Sequence, residues 1–211
     1  ARGMKFDIVT TALRGKPASE SSMRGGRHLP KKPFVLYVSS FNQRKNHDFI
    51  VKVWKDLYRT ESAVKQKGAR LLLVGEVQGE RKYADQKFIK TLAEFNIDVI
   101  TGATDEDIQA YLRHCVFTVY PSLQEGWGIP IQESLTSGKV CVASEAVPAA
   151  LEIANPAITK LNPNDFFAWR EAMLTWLTND RMRSAFERRA LEYSSPEWRD
   201  IAHAILMRDS A

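Results

Sequence analysis

The run Val116-Phe117-Thr118-Val119-Tyr120 leads directly into Pro121-Ser122-Leu123-Gln124-Glu125-Gly126-Trp127-Gly128-Ile129-Pro130-Ile131-Gln132-Glu133. The first run is short, apolar and rich in β-branched residues, which predicts a buried strand. Gly126 and Gly128 allow positive φ and a close approach of the backbone to a ligand, and Pro130 suits the first position of a helix. This stretch therefore predicts a strand, a glycine-bearing turn and a helix, in that order.

Two carboxylates of this stretch, Glu125 and Glu133, are candidates for ligand contact. A turn of this kind gathers free backbone N–H groups and the positive end of a helix dipole at the carboxyl edge of a sheet. Glu133, one turn into the helix, can accept from two vicinal hydroxyls such as those of a ribose. Glu125, in the loop, can contact sugar hydroxyls or stabilise developing positive charge. The pair suits a ligand that carries phosphates and hydroxyls, while two solvent-facing glutamates remain the alternative.

The rest of the chain continues the alternation of strands and helices. Short apolar runs predict further strands over 34–38, 70–75, 98–101 and 139–143. Helical spacing predicts helices over 48–59, 80–95, 105–114 and from 130 to near Gly138, then three closing helices over 166–177, 180–192 and 196–208. Such an order implies a parallel sheet that is covered by helices on both faces. We therefore expect one α/β, Rossmann-like domain over residues 33–211.

A second turn at the same sheet edge carries cations. In open parallel sheets, ligands bind beyond the carboxyl ends of the strands. The turn after the strand 34–38 reads Ser39-Ser40-Phe41-Asn42-Gln43-Arg44-Lys45-Asn46. Arg44 and Lys45 at the opening of a helix oppose the positive end of its dipole, and a bound phosphate would remove this conflict. A solvated loop with surface cations is the alternative.

The positive net charge of the chain is concentrated at one end. The whole chain carries +5, but residues 1–32 hold eight basic and two acidic residues, a net +6 that leaves −1 for residues 33–211. Residues 12–32 are rich in glycine, proline, serine and basic residues, which predicts a linker. Without interleaved aromatic residues this stretch is a poor nucleic-acid platform, so we expect no nucleic-acid partner. Contact with anionic lipid headgroups, or with a missing partner segment, is the alternative to a solvated linker.

Several classes of function find no support in the sequence. No apolar run reaches the ~20 residues of a membrane span, and Cys115 and Cys141 lie in apolar runs typical of buried free thiols, so we expect a cytoplasmic setting. The acidic triplet 105–107 follows Thr104 and is explained by helix capping. The four histidines show no metal-ligand spacing, and no dinucleotide fingerprint, P-loop or nucleophile elbow is present. We expect no metal site.

The segment from residue 34 to about 178 resembles the C-terminal, donor-binding half of a GT-B glycosyltransferase, most like glycosyltransferase family four. Five blocks carry the resemblance in order and spacing, namely residues 37–46, 72–75, 101–108, 120–130 and 133–144. Trp127 replaces a more usual phenylalanine, which predicts a narrower sugar pocket. Ser39 stands where a glycine is usual, and Ser40 lies near the place of a phosphate-binding arginine, which leaves more of that task to Arg44 and Lys45.

The resemblance implies a retaining transfer from a nucleotide-diphosphate sugar, which is the donor substrate, without a bound metal or other cofactor. Lys45 would pair with the donor pyrophosphate beside Arg44, and Glu133 would hold the ribose hydroxyls. Glu125 is the candidate catalytic residue and would contact the donor sugar; whether it acts as a nucleophile or positions the sugar stays open. The other candidate substrate-binding residues, all at the same sheet edge, are Ser40, Thr101, Gly102, Gly126, Trp127, Gly128 and Ile129.

The resemblance also implies a partner, the family's N-terminal acceptor-binding half. The sequence lacks it, and residues 5–11 would be its trailing strand. We therefore expect the isolated chain to bind donor without transferring sugar, as part of an enzyme of polysaccharide or lipid-linked glycan assembly at the inner face of the membrane. A non-catalytic sugar-nucleotide-binding or scaffold module is the alternative, and half of a GT-B epimerase or phosphorylase is a third.

Overall fold

The computed structural model of the chain describes residues 29–194, which fold around one six-stranded sheet. The order across the sheet is β3-β2-β1-β4-β5-β6, and every neighbouring pair is parallel. The strands are β1 (Phe34–Val38), β2 (Arg70–Val74), β3 (Ile97–Ile100), β4 (Phe117–Tyr120), β5 (Cys141–Ser144) and β6 (Ile158–Leu161). The predicted helix over 196–208, the strand-like residues 5–11 and most of the linker lie outside the described residues.

Eight α-helices connect and cover the strands within residues 29–194. They are α1 (His47–Thr60), α2 (Ser62–Lys67), α3 (Gln86–Ala93), α4 (Asp105–His114), α5 (Ile129–Thr136), α6 (Pro148–Glu152), α7 (Phe166–Thr178) and α8 (Asp180–Ala190). The α4 helix begins with a capping box, in which the Thr104 side chain accepts from the Asp107 N–H and the Asp107 carboxylate accepts from the Thr104 N–H. Capping of the acidic triplet is thus confirmed.

The helices cover both faces of the sheet, as predicted. Side chains of a strand alternate between faces. Val35 and Tyr37 of β1 pack into the cluster that contains the buried residues of α1 and α7, whereas Phe34 and Leu36 pack with Tyr111 and Leu112 of α4. The predicted α/β, Rossmann-like class with a parallel sheet is therefore confirmed.

Some predicted boundaries were wrong for local reasons. The helix expected over 80–95 divides into a 3₁₀ turn at Arg81–Ala84 and α3, because Asp85 is extended and its carboxylate caps α3 by accepting from the Lys87 N–H at 2.9 Å. The strand at 139–143 does not close the sheet, since β6 follows it. The short helices α2 and α6 were also not predicted, because they hold six and five residues, less than two helical turns.

The strand order positions a crevice between β1 and β4. The chain moves outward from β1 to β2 and β3 on one side, then returns to place β4 on the other side of β1. This reversal is a topological switch point, where open α/β sheets bind ligands beyond the carboxyl ends of the strands. The turns that follow β1 and β4 are the two that carry the predicted binding residues.

Candidate functional site

The turn after β1 presents the two cations from a short 3₁₀ turn rather than from α1 itself. Gln43–Lys45 form this turn, and α1 begins two residues after Lys45. The Tyr37 hydroxyl, at the buried end of β1, donates to the Lys45 carbonyl oxygen at 2.6 Å. Burial raises the pKa of the Tyr37 phenol, so the hydroxyl remains protonated and keeps this bond.

Asn46 joins this turn to two other loops at the same edge. Its backbone is left-handed, with φ 59° and ψ 39°, a conformation that asparagine tolerates better than most residues. Its side-chain amide does not cap α1. It donates instead to the carbonyl oxygens of Pro121, at 3.2 Å, and Pro163, at 3.4 Å. One side chain therefore connects the loops after β1, β4 and β6.

The turn after β4 depends on Gly128 more than on Gly126. Gly128 has φ 112°, and an added Cβ would lie 2.4 Å from Val147 Cγ1. Gly126 does not have positive φ, so the conformational freedom of a glycine is not used there, and an added Cβ would meet no heavy atom within 4 Å. α5 begins at Ile129, so Pro130 occupies the second helical position, one later than predicted.

An ionic cluster connects the two turns. The Glu125 carboxylate pairs with the Lys45 ammonium and lies 3.2 Å from the Arg44 guanidinium. The Ser122 hydroxyl donates to the same carboxylate at 2.9 Å. The side chains of Lys45 and Glu125 are only 12% and 14% exposed, whereas Arg44 is 52% exposed. In the folded chain, Glu125 therefore occupies the position beside Arg44 and Lys45 where a phosphate was expected from the sequence.

Glu133 is the contrasting carboxylate of this edge. It lies one turn into α5 and is half-buried, and its carboxylate makes no hydrogen bond or ion pair with any residue from 29 to 194. Burial raises the pKa of the Glu133 carboxyl group, and the charge of Asp105, at the start of α4, adds to this.

The remaining predicted residues line the loops after β1 and β3. Gly102 is exposed and left-handed (φ 64°), next to exposed Thr101, and its N–H donates to the Glu76 carboxylate at 2.6 Å. The Ser40 hydroxyl accepts from the Asn42 amide at 2.8 Å. Both predicted polar groups therefore have protein partners, and Glu76 joins the edge as a carboxylate that sequence reasoning missed.

Trp127 has two separate environments. Its carbonyl oxygen accepts from the Ala149 N–H at 2.8 Å, which fixes the loop to α6. Its half-buried ring packs on the core and lines a cavity of about 500 Å³ with Tyr193 and Gln132. The structure thus gives the ring a packing role, and the predicted narrowing of a sugar pocket remains a prediction.

Sequence reasoning also missed the residues that hold the turns in place. Tyr37 and Asn46 were quoted only as parts of a motif, and Ser122 was not singled out. An asparagine directly before a helix was the available signal for Asn46, because asparagine is enriched in left-handed backbone. The partners of Tyr37 and Ser122 depend on how strands are ordered, and residue spacing carries no signal for that.

Residues 29–194 contain neither a cluster of metal-binding side chains nor a helix that could span a membrane. No group of three or more histidine, cysteine, aspartate or glutamate side chains in this range is arranged to hold a metal ion. None of the helices formed by these residues is long and apolar enough to cross a membrane.

The chain matches a protein-family model described as Glycosyl transferases group 1 over residues 19–193. It is 25% identical over 188 residues to the serotype-specific mannosyltransferase WbdA of Escherichia coli. The matched segment covers 86% of this chain and 22% of WbdA. It is 24% identical over 196 residues to EpsF of Bacillus subtilis (strain 168), named as a glycosyltransferase, which covers 88% of this chain and 46% of EpsF.

A solved structure shows the same fold. WaaG, a glycosyltransferase involved in lipopolysaccharide biosynthesis, superposes with a TM-score of 0.65 at 19% identity, over 79% of this chain and 44% of that chain. The chain therefore spans less than half the length of these three relatives.

Proposed function

Because this chain belongs to the glycosyl transferases group 1 family, we propose that it is the donor-binding half of a metal-independent, retaining glycosyltransferase. The membership also confirms the predicted resemblance to a GT-B glycosyltransferase domain. The observation that best supports donor binding is the pairing of two cations on the β1 turn with the loop that opens α5, at the topological switch point.

The donor pyrophosphate would lie between Lys45, Arg44 and the start of α5. The helix supplies the positive end of its dipole, which favours a phosphate, whereas Pro130 has no N–H and the Ile131 N–H donates to the Gly128 carbonyl oxygen at 3.0 Å. Gly128 lets the backbone turn sharply into the helix at this point. Two fixed cations and a helix N-terminus can stabilise the charge that develops on a departing nucleoside diphosphate, which is the role that a divalent metal has in other transferases.

Glu133 would hold the ribose. A half-buried carboxylate without a partner is unfavourable in the folded protein. Two ribose hydroxyls would donate to it and stabilise its charged form. The loop at Thr101 and Gly102, where the Gly102 N–H donates to Glu76, would face the base, since it follows β3 at the same edge of the sheet.

Glu125 would act on the donor sugar. It lies next to the cations that would bind the pyrophosphate, so its carboxylate is close to the place where the sugar leaves the phosphate. A carboxylate there can position the sugar hydroxyls and stabilise positive charge at the anomeric carbon. We propose retention of configuration with Glu125 as the residue that positions the sugar.

The relatives suggest a donor and a setting. The name of WbdA specifies a mannosyltransferase, so we propose a nucleotide-linked mannose as the first donor to test. WaaG is involved in lipopolysaccharide biosynthesis, which supports a glycan or lipid-linked acceptor at the cytoplasmic face of a membrane. The acceptor would be bound by a second half, and basic residues 1–32 would contact that half or the membrane.

Calorimetry with UDP, GDP and ADP tests donor binding by this chain. One diphosphate should bind, and Glu133→Ala should weaken that binding. Glu145→Ala is the matched control, because Glu145 follows β5 at the same sheet edge and its exposed carboxylate makes no hydrogen bond with residues 29–194. Absence of heat with all three diphosphates would refute donor binding, and sugar transfer by this chain alone would refute the need for a second half.

A second assay concerns the enzyme that contains both halves. Transfer should persist in EDTA, and NMR should show the donor's anomeric configuration in the product. Loss of activity in EDTA would overturn metal independence. A donor-binding protein that stays inactive with an acceptor half attached would favour the scaffold alternative.

A further inference from the structure

We propose that the Glu125 carboxylate is an internal stand-in for the donor phosphate, which the diphosphate displaces from Lys45 and Arg44 when it binds. This inference rests on the proposed function, since it concerns the same two cations. Displacement would free Glu125 from the cations and let it turn to the sugar. Glu125 thus competes with the diphosphate of the donor and then contacts the sugar of the same donor.

The contacts of Lys45 carry the first step of the argument. Among residues 29–194, Glu125 is the only carboxylate within 4 Å of the Lys45 ammonium. The Lys45 side chain is 12% exposed, so little water solvates its charge. A bound phosphate must therefore either share the Lys45 ammonium with Glu125 or displace Glu125 from it. Arg44 is paired with the same carboxylate, so the two cations that would bind the phosphate share Glu125 as their counter-ion before the ligand arrives.

The two turns are also held together by contacts that do not depend on the ion pair, so we expect the loops to stay in place when it opens. The Leu123 N–H donates to the Arg44 carbonyl oxygen at 2.8 Å, and the Asn46 amide donates to the Pro121 carbonyl oxygen. Neither bond involves the Glu125 side chain. The Ser122 hydroxyl, which donates to Glu125 at 2.9 Å, is the one further side-chain partner among residues 29–194 that the carboxylate would exchange on displacement.

The charges determine the sign of the expected effect. A nucleoside diphosphate carries more negative charge than one carboxylate, so it can displace Glu125, but it must separate an ion pair to do so. A neutral residue at position 125 would leave the cations without that competitor. Glu125→Gln should therefore bind diphosphates more tightly than the original chain, whereas loss of a direct ligand contact would weaken binding.

The experiment compares Glu125→Gln with the original chain by calorimetry, using inorganic pyrophosphate, the diphosphate that binds best and the corresponding nucleoside as probes. We expect about fivefold to tenfold tighter binding of both phosphate probes, in the range of one partly buried ion pair, and an unchanged nucleoside affinity. Glu145→Gln removes the same charge from the same sheet edge without touching the cations, and should leave all three affinities unchanged.

A double-mutant cycle tests whether the effect acts through the lysine. In a Lys45→Met background, Glu125→Gln should give less than half of its effect on pyrophosphate binding. Unchanged or weaker diphosphate binding by Glu125→Gln would overturn the displacement proposal, as would an equal gain from Glu145→Gln. If neither the original chain nor Glu125→Gln binds any diphosphate, the proposed function itself fails, so the two failures are distinguishable.

Discussion

Replacement of Gly128 by alanine should destabilise the chain strongly, because two independent costs coincide at this residue. Its φ of 112° lies in a region that residues with a Cβ rarely adopt, which costs about 1–3 kcal/mol. The new Cβ would also lie 2.4 Å from Val147 Cγ1 and 3.2 Å from Ala149 Cβ, and such overpacking costs about 1–3 kcal/mol. The free energy of unfolding should thus fall by about 2–6 kcal/mol.

Urea unfolding, followed by tryptophan fluorescence, measures this loss. With an m-value of about 2 kcal/mol/M, the unfolding midpoint should fall by about 1–3 M. Gly126→Ala is the matched control, because Gly126 lacks positive φ and has open space around it, so its effect should stay within about 0.5 kcal/mol. Equal losses for the two variants, or none for Gly128→Ala, would refute the reasoning.

Four further predictions concern Glu133, His47 and Asn46. Glu133→Ala should weaken nucleoside binding by about 1–3 kcal/mol in calorimetry, and an unchanged affinity would contradict the ribose contact. Glu133→Gln should raise the free energy of unfolding near pH 7. The pKa of Glu133 is raised by folding, so above pH 4.5 the folded chain binds more protons than the unfolded chain, and its stability falls as pH rises through the folded pKa. Glutamine does not titrate, so the variant should not show this loss of stability. Burial lowers the pKa of His47 to about 3, so its contribution to stability is present above pH 6.5 and is lost as pH falls toward 3. In His47→Phe, the urea unfolding midpoint should therefore change less between pH 7 and pH 4 than in the original chain. An equal pH dependence of the midpoint in the two proteins would contradict this. In urea unfolding, Asn46→Ala should lose about 1 kcal/mol more stability than Asn46→Gly. Both variants lose the hydrogen bonds of the Asn46 side-chain amide, but only glycine adopts the left-handed backbone without strain. Equal losses would contradict that account.

The sequence predicted those parts of the fold that depend on local pattern. Strands β1, β2, β4 and β5 are apolar runs that are buried on both faces, and periodicity identifies such runs well. β6 was missed because it reads Ile-Thr-Lys-Leu at the edge of the sheet, where Lys160 is exposed and the run is no longer continuously apolar.

The candidate site was predictable in its members but not in its pairing. The cations and Glu125 were selected because each follows a strand, and strand ends share one sheet edge. Residues 45 and 125 are 80 positions apart, and only the order of β1 and β4 brings them together. No spacing rule indicates that Glu125 would neutralise Lys45 while Glu133 stays without a partner, since this depends on the rotation of α5.

The bridge made by Asn46 has a consequence for the folding kinetics of the chain. Its amide reaches Pro163, 117 residues away, and Pro121, 75 residues away. Contacts of such large sequence separation close long loops, whose entropy is lost before the contact forms, so they are made late. The ligand edge would then be completed after the folding transition state. A bound nucleotide should therefore slow the unfolding rate and leave the refolding rate almost unchanged.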